Sequence, residues 1–262
     1  MSQVNLQDLP VANFPDGHKH LIIPEGHPAF KATSIKAALR NMDDIFLLAQ
    51  AAEIFHNIKH CYITYMLAAR CDRSFAPGEA FDLRFVTYVI NKFRFKTIKV
   101  LRPHSPVTLE LLRNSIEADV TPALISGLRT VYDINDFAIV SPDKGASLWV
   151  GKYAELFNAP LVQCDKSRNM NEDHRGVVGL MVPHLPEGIE DFVIVDDLCD
   201  GGGTFLALSA QLRKQGAKRV FLVVTHAIMS KGLDVFDDFI DGIYCTNSFA
   251  EFEHDLVHQI NV

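Results

Sequence analysis

No stretch of this chain holds enough consecutive apolar residues to span a bilayer, and Met1 to Asp16 is too polar and too broken by proline to act as a signal peptide. There is no CxxC spacing. The five cysteines, Cys61, Cys71, Cys164, Cys199 and Cys245, are an odd number, which implies neither a disulfide framework nor a zinc site. Lys/Arg clusters are also missing, and the formal charge of −7 argues against a nucleic-acid surface. Low-complexity tracts and short repeats are absent. These absences leave the expectation of a cytoplasmic protein with reduced thiols that binds neither nucleic acid nor membrane.

What is present is ordinary globular composition, 48% hydrophobic and 22% charged over 262 residues. That length suits one large domain or two of about 130 residues. Strand-like and helix-like pieces alternate throughout, the pattern of right-handed βαβ units and parallel sheets, so the expected class is α/β. Extended pieces are expected at His20 to Pro24, Phe30 to Leu39, Cys61 to Leu67, Ile98 to Leu101, Phe137 to Val140, Leu161 to Cys164, Val220 to Val224 and Gly242 to Thr246, with a hairpin-like piece near Val177 to Val182. Helices are expected after Asn41, over Phe81 to Phe93, Val107 to Arg113, around Ile125 to Asn135, over Gly145 to Asn158 and from Thr204 to Gln215, where Gly216 is a suitable stop. The series divides into two α/β domains of similar build, 1–120 and 121–262.

The chain is organised around Phe192 to Thr204, FVIVDDLCDGGGT. Four apolar residues without alternation suit a strand buried on both faces. The strand ends in Asp196 and Asp197; then Asp200, Gly201, Gly202, Gly203 and Thr204 lead into a helical pattern. Strand, glycine turn and helix N-terminus together aim several backbone N–H groups at one point, with the helix dipole adding to their pull on an anion. Phosphate alone would be repelled by Asp196 and Asp197, so the ligand must also carry hydroxyls, a divalent cation, or both. A ribose 5-phosphate moiety meets these demands. The plainer reading is an acidic turn between a core strand and a surface helix.

Sheets of this kind bind ligands at the carboxyl ends of their strands, and polar residues follow the other expected strands too. Arg70, Asp72 and Arg73 follow Cys61 to Leu67, and Arg102, His104 and Ser105 follow Ile98 to Leu101. Asp143, Lys144 and Gly145 open a helix after Phe137 to Val140, a second candidate anion site. Lys166, Arg168, His174 and Arg175 follow Leu161 to Cys164 in a stretch that reads either as a mobile flap or as a plain surface loop. Singly, each has a structural explanation, such as a surface ion pair between Arg70 and Asp72. Collectively they lie along one edge of the sheets.

The VIVDDLCDGGGT stretch resembles the ribose-phosphate motif of the type I phosphoribosyltransferase fold. With FPDGH at Phe14 to His18, ARCDR at Ala69 to Arg73, PHS at Pro103 to Ser105, SPDKGA at Ser141 to Ala146, DKSR at Asp165 to Arg168 and THAIMSKG at Thr225 to Gly232, nearly the whole chain resembles the ribose-phosphate pyrophosphokinases. That resemblance implies two phosphoribosyltransferase-like domains, the N-terminal one on the nucleotide side and the C-terminal one holding the ribose phosphate. It implies transfer of the β,γ-diphosphate of ATP to the anomeric hydroxyl of ribose 5-phosphate, with Mg2+. Phe14 and Asp16 would reach the adenine of ATP on a neighbouring subunit, so at least a homodimer is implied. Arg70, Asp72, Arg73 and His104 would contact ATP, and His104 and Asp143 would serve the metal. Lys166 and Arg168 would be the catalytic flexible-loop pair, and Asp196, Asp197 and Asp200 to Thr204 would hold the sugar phosphate.

The chain departs from the family pattern at several of these positions. His18 stands where the family has Glu, Cys71 where it has Gln, Arg102 where it has Asp, Ser167 where it has Arg, and Gly201 where it has Thr. Arg102 could pair with nucleotide phosphate instead of serving a metal. Gly201 removes a hydroxyl and opens space, which suggests a larger 5-phosphoribosyl acceptor, such as ADP-ribose, in place of ribose 5-phosphate. The same motifs would also serve a phosphoribosyltransferase that consumes the activated sugar, or a regulatory paralogue without chemistry.

Overall fold

Apolar runs too short to be buried helices become strands and the amphipathic stretches between them become helices, in two compact units, Met1–Asp119 and Val120–Val262. The structure, a computed structural model, describes residues 2–166 and 179–262.

The first unit contains β1 (Gln3–Asn5), a hairpin of β2 (Val11–Asn13) and β3 (Lys19–Leu21), β4 (Ser34–Ala38), α1 (Met42–Ile54), β5 (His60–Tyr65), α2 (Asp82–Asn91), β6 (Thr97–Leu101), α3 (Val107–Leu111) and β7 (Ser115–Ala118). Its sheet runs β1-β4-β5-β6-β7 with every pairing parallel. Because side chains alternate along a strand, Ile35 and Ala37, Cys61 and Ile63, and Ile98 and Val100 share one face and pack with Leu48, Leu83 and Ile90. Helix α1 starts where Asn41 predicts. The Asn41 Oδ1 accepts the Asp44 N–H at 3.0 Å and the Asp44 Oδ2 accepts the Asn41 N–H at 3.2 Å, a reciprocal cap.

Two of the expected extended pieces are shorter than read. Phe30 to Leu39 begins inside a 3-10 turn, Pro28–Lys31, started by Pro28 and capped by the His27 ring, so the strand opens only at Ser34. His20 to Pro24 is strand only to Leu21, where its pairing with β2 ends.

The second unit contains α4 (Thr121–Tyr132), β8 (Phe137–Ser141), α5 (Lys144–Leu156), β9 (Leu161–Gln163), β10 (Asp165–Lys166), β11 (Leu180–Met181), β12 (Asp191–Cys199), α6 (Gly203–Lys214), β13 (Arg219–Ala227), β14 (Gly242–Thr246) and β15 (Val257–Ile260). Helix α4 starts earlier than its apolar pattern suggests because Pro122 favours a first turn. Strands β10 and β11 pair antiparallel, Lys166 opposite Leu180; this is the described part of the hairpin-like piece expected near Val177 to Val182, of which 177 and 178 lie outside the described residues. The main sheet runs β9-β8-β12-β13-β14-β15, all parallel.

The uninterrupted apolar run in β12 now has its reason. Phe192 and Ile194 pack with Leu208 and Leu212 of α6 on one face, while Val193 and Val195 pack with Leu124, Leu128 and Val150 of α4 and α5 on the other. The chain goes from β8 out to β9 and then returns to place β12 on the opposite side of β8. Strand order therefore reverses between β8 and β12, and such a reversal opens a crevice at the carboxyl ends of the two strands.

The expected α/β class therefore holds, as mainly parallel sheets flanked by helices. No described helix is long and apolar enough to cross a membrane. All five cysteines are free, and burial pushes the Cys164 and Cys245 thiols up to about 12, so neither is a ready nucleophile.

Replacing Asn41 with Ala removes half of the reciprocal cap on α1. The expected loss is about 1 kcal/mol of stability, read by chemical denaturation, with Asn41→Ser retaining most of it.

Candidate functional site

The carboxyl ends of β8 and β12, neighbours at the reversal, carry Asp143 and the pair Asp196 and Asp197. Asp197 is buried and Asp196 half-buried. The Asp197 N–H donates to the Asp196 Oδ1 at 2.9 Å, but the charges that reach Asp196 from Asp197 and Asp143 share its sign. Loss of water, first, and the Asp197 carboxylate, second, hold the Asp196 carboxyl well above its ordinary value of 3.8. At the opposite end of the same strand Asp191 is treated differently. The Arg219 guanidinium donates to both its oxygens, at 2.8 and 2.6 Å. Acid at one end of β12 is neutralised by an arginine; at the other, Asp196 stands among carboxylates.

Beyond the pair, the chain turns through Asp200 to Gly203 into α6. The glycines there have separate causes. Gly202 has φ +74, and a Cβ on it would run into the buried Phe236 ring, so two constraints exclude a side chain. Gly201 has no such backbone need. A Cβ there would lie 3.2 Å from Cδ and Cε of Lys231, whose stem rests against it. The space expected to open at Gly201 is therefore filled. Gly203, at the first position of α6, faces open space on the side where a Cβ would be. No side chain caps α6 from Gly202, and a helix N-terminus of this kind favours an anion.

The N-terminus of α5, the second candidate anion site, is different. Asp143 caps it, its Oδ1 accepting the Ala146 N–H at 2.9 Å, and Lys144 pairs with Asp165 at 2.6 Å. A carboxylate already occupies the position an anion would take. Asp143 is thus a poor phosphate neighbour, but it has a second oxygen for a cation.

In the first unit the loops after β5 and β6 bring Asp72, Arg73, His104 and Ser105 together. Asp72 is buried; Arg73 donates to its two oxygens at 3.0 and 2.9 Å, and Ser105 also hydrogen-bonds it. Arg73, then Ser105, with a smaller contribution from His104, hold the Asp72 carboxyl below its ordinary value. Asp72 therefore anchors Arg73, in an ion pair between a buried carboxylate and an exposed guanidinium. Arg70, Arg73 and His104 are exposed. Arg102 is buried in left-handed backbone, φ +32, and pairs with Glu117 on the adjacent β7 at 2.5 Å. That internal partner replaces the nucleotide phosphate considered for it; β7 is short and polar, so nothing in the sequence announced it.

Phe14 and Asp16 lie elsewhere, at the tip of the β2–β3 hairpin, a separate two-stranded sheet. The Asp16 Oδ1 accepts the His18 N–H at 3.0 Å, and His18 stacks on His20 and meets Phe46 of α1 edge-on. Lys166 is in β10, while Arg168, with His174 and Arg175, lies outside the described residues.

A further group, Asp234, Asp237 and His254, has ligand atoms within 4.8 Å of one another. The Leu256 N–H donates to the His254 Nδ1, which leaves the neutral ring's proton on Nε2, 4.0 Å from Asp234. That nitrogen faces the carboxylate with a proton on it, which does not suit a metal ligand.

The family model described as Phosphoribosyl transferase domain matches residues 108–260. The ribose-phosphate pyrophosphokinase of Saccharolobus solfataricus is 26% identical over 225 residues, covering 84% of this chain and 76% of the relative. That of Pyrococcus furiosus is 25% identical over 249 residues, covering 93% and 86%. Among solved structures, a phosphoribosylpyrophosphate synthetase from Mycobacterium smegmatis matches with a TM-score of 0.78 at 16% identity, over 97% of this chain and 85% of that one, a likeness of fold. The resemblance read from the motifs is borne out.

Asp196→Asn should raise the melting temperature of the ligand-free protein at pH 7 to 8. A carboxyl whose folded value is raised favours folding fully below its unfolded value near 3.8, and loses that contribution as pH rises toward the folded value. The gap between variant and wild type should therefore close as pH falls toward about 4, as thermal denaturation across that range will show.

Proposed function

This chain belongs to the phosphoribosyl transferase domain family, and from that premise we propose that it is an ATP-dependent diphosphokinase acting on ribose 5-phosphate. It moves the β,γ-diphosphate of ATP to the anomeric hydroxyl, giving phosphoribosyl pyrophosphate and AMP. The observation that carries this reading is the pair Asp196 and Asp197, with Asp196 set among carboxylates, standing directly before a glycine loop without a side-chain cap at a strand-order reversal. The carboxylates accept hydrogen bonds from the ribose hydroxyls, and Asp200, Gly201, Gly202, Gly203 and Thr204 take the 5-phosphate. The names of the relatives support the same reaction.

In this reading the first unit takes ATP, through Arg70, Arg73 and His104 with Asp72 holding Arg73 in place. Phe14 and Asp16 reach the adenine from a neighbouring subunit of a homodimer or larger assembly. The exposed aromatic tip of that hairpin is suited to stacking on a base. Mg2+ is part of the proposal, with Asp143 as a protein ligand in the second unit and His104 as one in the first. Asp143 offers an oxygen not used by its helix cap, beside other carboxylates, and the charge of Arg102 is taken by Glu117 rather than set against a cation at His104. When bound, the cation supplies positive charge to the triphosphate.

Diphosphoryl transfer to a hydroxyl rests mainly on alignment and on neutralising charge in the transition state. Lys166 and Arg168 supply cations at the transferred group, and the segment bearing them excludes water that would otherwise hydrolyse ATP. The larger acceptor, ADP-ribose, rested on free space beside Gly201. The stem of Lys231 lies in that space, while the names of the relatives favour ribose 5-phosphate.

The deciding experiment incubates the full chain with ATP, Mg2+ and either ribose 5-phosphate or ADP-ribose, and follows AMP and the mass of the acceptor. A gain of two phosphates on ribose 5-phosphate is expected; AMP formation with neither acceptor would overturn the reading. Changing Lys166 or Arg168 to Ala should lower kcat by about 10²- to 10³-fold, with acceptor binding retained.

A further inference from the structure

The segment that follows β13 is tied to the phosphate loop at several points. The Ile228 N–H donates to the Cys199 carbonyl at 2.8 Å, immediately before Asp200. Met229 is buried in left-handed backbone, φ +53, and its carbonyl accepts the Gly232 N–H at 2.9 Å, closing a tight turn around Lys231. Further along, the buried Phe236 ring packs against Gly202. The turn is thereby held against the loop from both sides, and Lys231 is the residue it presents there.

Lys231 lays Cγ, Cδ and Cε along the face of Gly201, at 3.2 to 3.4 Å from where a Cβ would be. Its ammonium is one bond beyond Cε, at the rim of the loop. Among the described residues no carboxylate pairs with it, although Asp196, Asp197 and Asp200 are close in sequence to the glycine it covers. Any larger residue at position 201 would push this stem away, and the backbone at Gly201 does not otherwise require glycine. The two residues are therefore one device. Glycine at 201 is what lets the lysine lie flat, and the lysine delivers a full positive charge where a side chain at 201 could offer only a hydroxyl.

We propose that Lys231 is a substrate-binding residue that holds the acceptor's phosphate from above the loop, with Gly201 as its seat. The inference rests on the loop being the acceptor-phosphate site, as argued under the proposed function. An ammonium on a four-carbon stem acts as a mobile point charge, so it recognises the phosphate's charge rather than one fixed oxygen position. Its contribution should therefore be screened by salt, unlike that of the backbone N–H groups beneath it.

The test compares wild type, Lys231→Met, Lys231→Arg and Gly201→Thr, all as the full chain. Calorimetry measures ribose 5-phosphate and inorganic phosphate binding without ATP, and kinetics measure KM for ribose 5-phosphate. Lys231→Met keeps the stem and drops the charge. It should weaken both ligands about 10- to 100-fold at low salt, place the loss on KM rather than kcat, and flatten the salt dependence; Lys231→Arg should recover most of the affinity. Gly201→Thr should weaken binding by displacing the stem, and in that background Lys231→Met should add little further loss. If Lys231→Met binds ribose 5-phosphate as wild type does while the wild type turns it over, the inference fails and the proposed function stands. If binding depends on Lys231 but no AMP forms with either acceptor, the inference stands and the proposed function fails.

Discussion

Two adjacent carboxylates at the end of a strand buried on both faces repel each other in a place where water is too scarce to screen them, and the second unit is arranged so that they stay there. The hydrophobic layers on either side of β12 hold the strand rigidly, so Asp196 and Asp197 cannot relax outward. The glycine loop carries no side chain of its own at 201 to 203, and at Gly201 the stem of Lys231 lies across it. Folding therefore leaves Asp196 among carboxylates, and in the proposed reading a sugar phosphate brings hydroxyl donors to the pair and its anion to the loop. Apart from this, the sheet is conservative in its charges, as Asp191 and Arg219 show at the far end of the same strand.

The two units use parallel sheets differently. In the first, strand order proceeds in one direction and its apolar core forms a single cluster; in the second, order reverses and apolar layers form on both faces. A reversal makes a crevice, and the acidic pair with its loop is in the unit that has one. The first unit instead gathers its cations on successive loops, with Asp72 buried beneath Arg73 as an anchor. This division suits the proposed roles: a sugar held by hydroxyls and a defined phosphate needs a shaped cradle, whereas a triphosphate can be held by a field of cations.

Residue patterns in the sequence located most elements because their causes are local. An apolar run flanked by turn residues, an Asn followed by two acids, or a glycine past a helix each acts within a few residues, and β12, α1 and the end of α6 at Gly216 follow from them. The short strands β1, β2, β7 and β15 were not legible. Three or four mixed residues become a strand only when a neighbour offers an edge, and the neighbour is distant in sequence. The same reasoning explains Arg102, which looked available for a phosphate until β7 placed Glu117 beside it, and Gly201, which looked like vacant space until the turn after β13 placed Lys231 across it.

By itself the sequence determined the α/β alternation, the doubly buried strand and the order of acid pair, glycines and helix start, since each depends on interactions between near neighbours. Only the tertiary structure decided which charges are neutralised. Asp72 meets Arg73 and Ser105, Arg102 meets Glu117, Asp191 meets Arg219, and Asp196 meets the carboxylates of Asp197 and Asp143. Coulombic and desolvation energies depend on distance and burial in space, and neither is set by position along the chain.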